Sequence, residues 1–428
     1  MKQKNFILDN LKVMIYSFIA ILIMRHSLFG FYKIPTTSME PTLIGDPKFG
    51  DCIITNKVIY QFQKPKRWDV VIFRYPLNQQ QIFIKRLIGL PGEDVSIKNG
   101  NIFINQKIVH KEIGIQKKIS YPLFKQAYHK LKDLWQLEGE GWYLKNNKLF
   151  LETKTTACAY FKQRITNLYS YRKLGFSRKI GGNKQVGEYL LEFQLKALKG
   201  YGSVFIKFQD GENNFLLNLD FYPEKYHTLF YKDKLVKKFK QKLSPQKQYG
   251  VLVSNFDKRI QIFINKRLLA QFSYAKTLKK TIKDIYKTGV KLGGKEGSFS
   301  FSGINLYRDN YYISRKTDFA GLCSWKVPKG HYFVLGDNSP VSRDSRDWAK
   351  FCLICKDGTV LEGDQKSFPY TENKNYCFYD KHGIYHKIFV NEVKREITNI
   401  YSPFIPCEQL MGKAICVFWP LNRIKLIR

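Results

Sequence analysis

Acidic side chains are scarce: 35 Asp and Glu stand against 72 Lys and Arg in 428 residues, a formal net charge of +37. That imbalance asks for an anionic neighbour, either nucleic acid or a membrane surface carrying acidic lipids. The lysines (among them Lys64, Lys66, Lys117, Lys118, Lys237, Lys238, Lys279 and Lys280) are spread along the chain, and no nucleic-acid recognition motif is found. The expectation is therefore no nucleic acid, with a membrane surface or plain solubility accounting for the charge. Cysteine is sparse too. Cys52, Cys158, Cys323, Cys352, Cys355, Cys377, Cys407 and Cys416 are too few and too scattered for a disulfide scaffold. The histidines (His26, His110, His129, His227, His331, His382 and His386) have no matching acid in a recognisable order, so a Ser-His-Asp triad is unsupported.

What is present is a large core. Hydrophobic residues make up 44% and aromatics 15%, which excludes a disordered chain, and the length calls for two or three domains. Residues 7–24 are mostly apolar, with the clean run "VMIYSFIAILIM" from Val13 to Met24 between Lys12 and Arg25. A bilayer span takes about 20 residues, so this reads as an uncleaved anchor with its basic N-terminus cytoplasmic. No small-x-small site follows it, since "MRHSLFGF" is bulky, which argues against a removable signal peptide.

From Gly50 to Val109 short alternating strands predict a β module: "DCIITNKVI", "DVVIFRYP", "QIFIKRLIGLPG" and "VSIKNGNIFIN", with Asn99-Gly100 as a hairpin turn. After an irregular link, a second β-rich block with Gly, Asn and Asp turns predicts a sandwich over 133–309. The first module resumes with "HYFVLGDNSPVSRDSRDW" and closes with "CEQLMGKAICVFWP". The expected fold is mainly β: an anchor over 1–30, a catalytic module over 31–110, 310–350 and 402–428, the inserted sandwich, and a small second insertion over 351–401.

One turn raises a chemical question. "IPTTSMEPTLIGD" carries a lone Ser38, and a serine hydroxyl needs a base. Lysine serves when desolvation lowers its pKa from about 10.4 toward neutrality. Lys85 qualifies, because Ile82, Phe83, Ile84, Leu87 and Ile88 flank it in strand-like sequence. Taken singly, Ser38 reads as a turn residue and Lys85 as an exposed strand lysine.

Together with "GDCIITNK", "RWDVVIFRYP", "IKRLIGLPGE", "GDNSPVSRDSR" and "MGKAICVFWP", in that order behind an apolar N-terminus, the sequence resembles bacterial type I signal peptidases. These are serine/lysine endopeptidases of the inner membrane. The resemblance implies Ser38 as nucleophile, Lys85 as general base, and an oxyanion hole from the Thr36 hydroxyl and the Ser38 amide. It further implies Ser342 orienting the lysine and an ion pair between Asp344 and Arg346. Substrates, by the same resemblance, are signal-peptide-bearing preproteins cut after small-x-small sites on the extracytoplasmic side of a single-pass anchor. Their extended segment is expected to add as a strand beside Gln81, Ile82, Phe83 and Ile84 and near Ile34 and Pro35.

Met39, Phe73, Phe418 and Trp419 read either as a rim resting on the lipid bilayer or as core. Cys352, Cys355, Cys377 and His382 offer zinc donors without a second Cys-x-x-Cys pair, so disulfides or free thiols are expected and no metal or cofactor is assigned. The inserted block resembles concanavalin-like and laminin-G-like jelly rolls, which implies a glycan or protein ligand, beside the reading of a spacer with none. Two other functions remain open: a membrane-anchored glycan- or protein-binding protein using the peptidase module as scaffold, and a repressor-type self-cleaving serine/lysine protease. The second predicts a DNA-binding segment and an Ala-Gly or Cys-Gly ahead of Ser38, and neither is present.

Overall fold

The computed structural model describes residues 10–17, 27–127, 129–173, 176–180, 182, 184–210, 213–275, 288–313, 324–367, 370–372 and 374–427. The chain divides into two compact units, Met1–Ile108 with Tyr171–Arg178 and Tyr312–Arg428, and Val109–Ser170 with Lys179–Tyr311. Residues 10–17 are helical, and no helix among the described residues is long and apolar enough to cross a membrane. The expected anchor segment falls partly outside the described residues.

The first unit is built on a sheet whose strands are far apart in sequence. Strand β1 (Phe29–Lys33) pairs with β2 (Cys52–Asn56), which pairs with Leu410–Trp419; next come β3 (Val70–Tyr75), β4 (Asn78–Gly89), His331–Leu335 and Ile405–Pro406. Val71, Phe73, Leu87, Val334, Trp348 and Ile405 pack into one buried cluster of this unit, and Ile34, Met39, Ile53, Val70, Ile72 and Val417 into another. Asn99 and Gly100 both take positive φ (51° and 87°), the conformation a tight hairpin between Asp94–Lys98 and Asn101–Ile104 requires. Residues 349–401 add two three-stranded sheets to the same unit: Val360–Asp364, Ala349–Cys355 and Val393–Tyr401 in one, Tyr370–Glu372, Asn375–Tyr379 and Tyr385–Phe389 in the other.

The second unit is organised around one long strand, Thr288–Arg308, which pairs along its length with Lys148–Phe161, Tyr189–Lys199, Ser203–Asp210 and Tyr121–Lys125. Strict alternation of buried and half-buried residues in Ser203–Asp210 and Asn213–Asp220 sends one face of each strand into a single apolar cluster. The link expected over 110–132 belongs to this unit, because Tyr121–Lys125 pairs with Asn305–Arg308. Where the chain enters and leaves the unit, Lys111 forms ion pairs with Asp257 and, at 2.9 Å, with Asp309. Burial disfavours the charged amine, but the two carboxylates outweigh it and raise the Lys111 pKa.

Candidate active site

Ser38 lies in a single 3-10 turn, Thr37–Met39, whose shape is set from both sides. Met39 is fully buried and accepts the Leu43 N–H at its carbonyl (2.9 Å). On the other side Asn338 donates its N–H to the Ser38 carbonyl and its Nδ2 to the Thr37 carbonyl, both at 3.0 Å. Gly336 lies so near that a Cβ there would be 2.1 Å from Ser342 Oγ and 2.5 Å from the Ser38 carbonyl oxygen, so only glycine fits.

Lys85 approaches from β4. Its register opposite Val71 holds it in the sheet, and its side chain is 5% exposed. The ammonium nitrogen is 2.9 Å from Ser38 Oγ, 3.0 Å from the Ile84 carbonyl oxygen and 5.2 Å from the Phe83 ring centroid. Desolvation lowers its pKa to about 8, against the opposing pull of the Asp344 and Asp337 carboxylates. At pH 7 this gives about 300-fold more neutral amine than an ordinary lysine offers. Thr36 is exposed, and its Oγ1 lies 3.4 Å from Ser38 Oγ.

Two buried ion pairs support this arrangement. Arg346 grips Asp344 through Nε (2.8 Å) and Nη2 (2.7 Å) and also donates to the carbonyls of Ile313 and Ser339. Asp344 in turn accepts the Gly336 N–H at 2.9 Å and the Arg346 N–H at 3.3 Å. Burial pushes its carboxyl up, but Arg346 and these donors hold its pKa below the ordinary value. The second pair, Arg86 with Asp337, was not anticipated in the sequence. Arg86 donates to Asp337 from Nε and Nη2 and to the Trp68 carbonyl from Nη1, and Thr42 donates its hydroxyl to Asp337. A strand sends neighbouring side chains to opposite faces, so an arginine directly after Lys85 gives no sign that it supports the same site.

The edge expected to receive substrate is open. Leu87 exchanges both main-chain bonds with Trp68 and Asp69 on the β3 side, so by alternation the main-chain groups of Ile82 and Ile84 face away from β3. Pairing with His331–Leu335 ends at Arg86. Gln81 and Ile82 are exposed, Phe83 and Ile84 half-buried. Ile34 differs from expectation: it is a core residue, with its N–H bonded to Asp51 O and its carbonyl to Asp46 N–H, which leaves the exposed Pro35 and Thr36 to flank Ser38 on that side. Met39 and Phe73 are likewise wholly buried and no part of a rim, whereas Phe418 and Trp419 are exposed and Phe31 packs edge-on against Phe418 at 5.8 Å.

Among the described residues, the one group of three candidate metal donors is Glu188, Asp257 and Asp309, into which Lys111 already projects its ammonium. Cys352, Cys355, Cys377 and His382 form no such group, and the seven described cysteines are free thiols, the second of the two states expected for them.

With this geometry in hand, comparison with known proteins is informative. Signal peptidase I of Aquifex aeolicus is 33% identical over 132 residues, 28% of this chain and 48% of that protein. Signal peptidase I of Buchnera aphidicola subsp. Acyrthosiphon pisum is 36% identical over 131 residues, 28% of this chain and 41% of that protein. The chain thus spans under half the length of these two curated relatives. A carbohydrate binding module from Bacillus subtilis matches 40% of this chain and 94% of its own at 12% identity, with a TM-score of 0.30, too low a likeness to bear on fold or ligand. The model of the family "Signal peptidase, peptidase S26" matches residues 7–156 and 235–363, more than half of the chain. The chain belongs to the signal peptidase family, peptidase S26.

Proposed function

We propose that the protein is a membrane-anchored serine endopeptidase that removes N-terminal signal peptides from exported preproteins, cutting after small-x-small sites through a Ser38–Lys85 dyad. One observation carries this reading: a 2.9 Å contact between a serine hydroxyl and an amine whose pKa burial has lowered to about 8. A nucleophile and its base have to meet in this way.

The chemistry follows from the positions. Neutral Lys85 takes the Ser38 proton as Oγ attacks the carbonyl ahead of the cleaved bond. The oxyanion is stabilised by the Thr36 hydroxyl and the Ser38 N–H. The resulting ammonium protonates the departing amine as the C–N bond breaks, leaving an acyl ester on Ser38. Lys85 then takes a proton from water, whose oxygen attacks the ester and frees the enzyme. Binding uses main-chain pairing of the substrate's residues ahead of the cut with the open Ile82–Ile84 edge, and close walls around Ser38 admit only small side chains.

The apolar run from Val13 to Met24 supports single-pass anchoring in the bacterial inner membrane, with Phe31, Phe418 and Trp419 resting at the lipid surface on the extracytoplasmic side. The test is cleavage of a precursor carrying an Ala-x-Ala site by wild type, Ser38→Ala and Lys85→Ala. Wild type should cut it and both variants should not; equal cleavage by all three would end the reading.

A further inference from the structure

Three successive main-chain donors stand behind the segment that carries Thr36. The Ile44 N–H goes to a carboxylate oxygen of Asp51 (2.8 Å), the Gly45 N–H to a carboxylate oxygen of Glu40 (3.3 Å), and the Asp46 N–H to the Ile34 carbonyl (3.0 Å). Ile34 in turn donates its own N–H to the Asp51 carbonyl at 2.8 Å. Gly45 is packed so tightly here that a Cβ on it would run into the Thr36 carbonyl and the Thr37 nitrogen, so its backbone lies directly against the peptide that joins them.

Glu40 ties the two sides of this arrangement together. It ends the turn that carries Ser38, donating its N–H to the Thr37 carbonyl at 3.2 Å, and its side chain reaches across to Gly45. The position is costly for a carboxylate. Burial pushes its pKa up to about 7; the Gly45 N–H opposes that rise, Asp51 adds to it, and Arg423, itself paired with Asp51 at 2.8 Å, relieves it. An acidic side chain turned out into water would escape this cost. Thr36, by contrast, is exposed, with its Oγ1 3.4 Å from Ser38 Oγ. A donor to developing charge works only when it is fixed before reaction, and a misplacement of about 1 Å can cost a hundredfold in rate. What backs the Thr36 main chain is Gly45, and what holds the Gly45 N–H is Glu40.

We propose that Glu40 is a positioning residue: by holding Gly45 against the Thr36 peptide, it sets the Thr36 hydroxyl where the oxyanion forms. This rests on the peptidase reading of Ser38 and Lys85, with Thr36 as oxyanion donor. The test is steady-state kinetics of the full chain on a peptide carrying an Ala-x-Ala site. Glu40→Ala should lower kcat about tenfold and leave KM within about twofold, because only the transition state loses an interaction. Glu40→Asp, one methylene too short to reach Gly45, should lose as much. Glu40→Gln, which keeps an acceptor oxygen at the same reach, should keep kcat within about threefold. In a Thr36→Val background, where the hydroxyl is gone, Glu40→Ala should cost less than about a further twofold, since residues that act through one another do not add. Should Glu40→Ala fail to fold, the contrast between Glu40→Asp and Glu40→Gln decides. A tenfold loss that persists beside Thr36→Val, or Asp and Gln variants of equal activity, overturns the positioning role while the dyad stands. A Thr36→Val enzyme as active as wild type removes the donor and the role together. A wild type that leaves the peptide uncut overturns the peptidase reading, and the role with it.

Discussion

Arg86 and Asp337 are both fully buried and joined by two hydrogen bonds of 2.7 and 2.6 Å, one position along β4 from Lys85. Removing one partner of such a pair strands the other charge, at about 3–5 kcal/mol. Asp337→Asn should therefore lower the unfolding midpoint in urea markedly. Because the Asp337 carboxylate also raises the Lys85 pKa, the same variant should shift the alkaline rise of activity toward acid. A profile that moves toward base instead would contradict the assigned field.

Lys85 itself makes a second prediction. Its folded pKa is depressed to about 8 from 10.5, so the folded state loses its proton first, and stability rises as pH climbs from about 8 to 10.5. Below pH 8 the buried ammonium is a fixed cost, of order 3 kcal/mol from the shift. Lys85→Met should then be inactive yet more stable than wild type in denaturant titrations at pH 6 to 7, with the gap narrowing above pH 9. For activity, kcat/KM of the wild type should rise through about pH 8 and level off.

In the proposed mechanism the Thr36 hydroxyl, 3.4 Å from Ser38 Oγ, donates to charge that develops during attack. Thr36→Ser keeps the donor and should keep most activity. Thr36→Val removes it at nearly constant volume and should cut kcat by about a hundredfold or more, with KM little changed. Steady-state kinetics on a small-x-small peptide distinguishes the two.

In the second unit, Lys111→Met should leave Asp257 and Asp309 facing each other in a buried site. The expected loss is about 3–5 kcal/mol, read as a drop in the thermal midpoint at pH 7. Since burial already pushes the Asp309 carboxyl up, that group can then take up a proton, and the deficit should shrink as pH falls toward 5.

How much of this was legible in sequence depends on how local each signal is. The Asn99-Gly100 turn and the alternating strands are written in adjacent residues, and the pattern was readable there. Ser38 and Lys85, 47 positions apart, carry no local mark; only the six ordered motifs around them single them out. Asn338 and Gly336 lie inside one of those motifs, yet their work, holding the Ser38 turn by a carbonyl and by the lack of a Cβ, is invisible until the backbones meet. For Met39 and Phe73 the sequence left lipid rim and core both open, because an apolar residue near a reactive serine suits either, and the sheet's own need for filling claimed them and Ile34 alike. The tie between Gln79 and Lys381 joins main-chain atoms 302 positions apart, so no side-chain pattern could announce it.

Lys111 stands just after the chain passes into the second unit and Asp309 just before it leaves, and the two clasp each other at 2.9 Å. A lobe whose first and last residues are stapled together carries its own closure. Such a lobe can be gained, lost or exchanged during evolution as a self-contained cassette, while Ser38 and Lys85, both ahead of it in sequence, are left as they are.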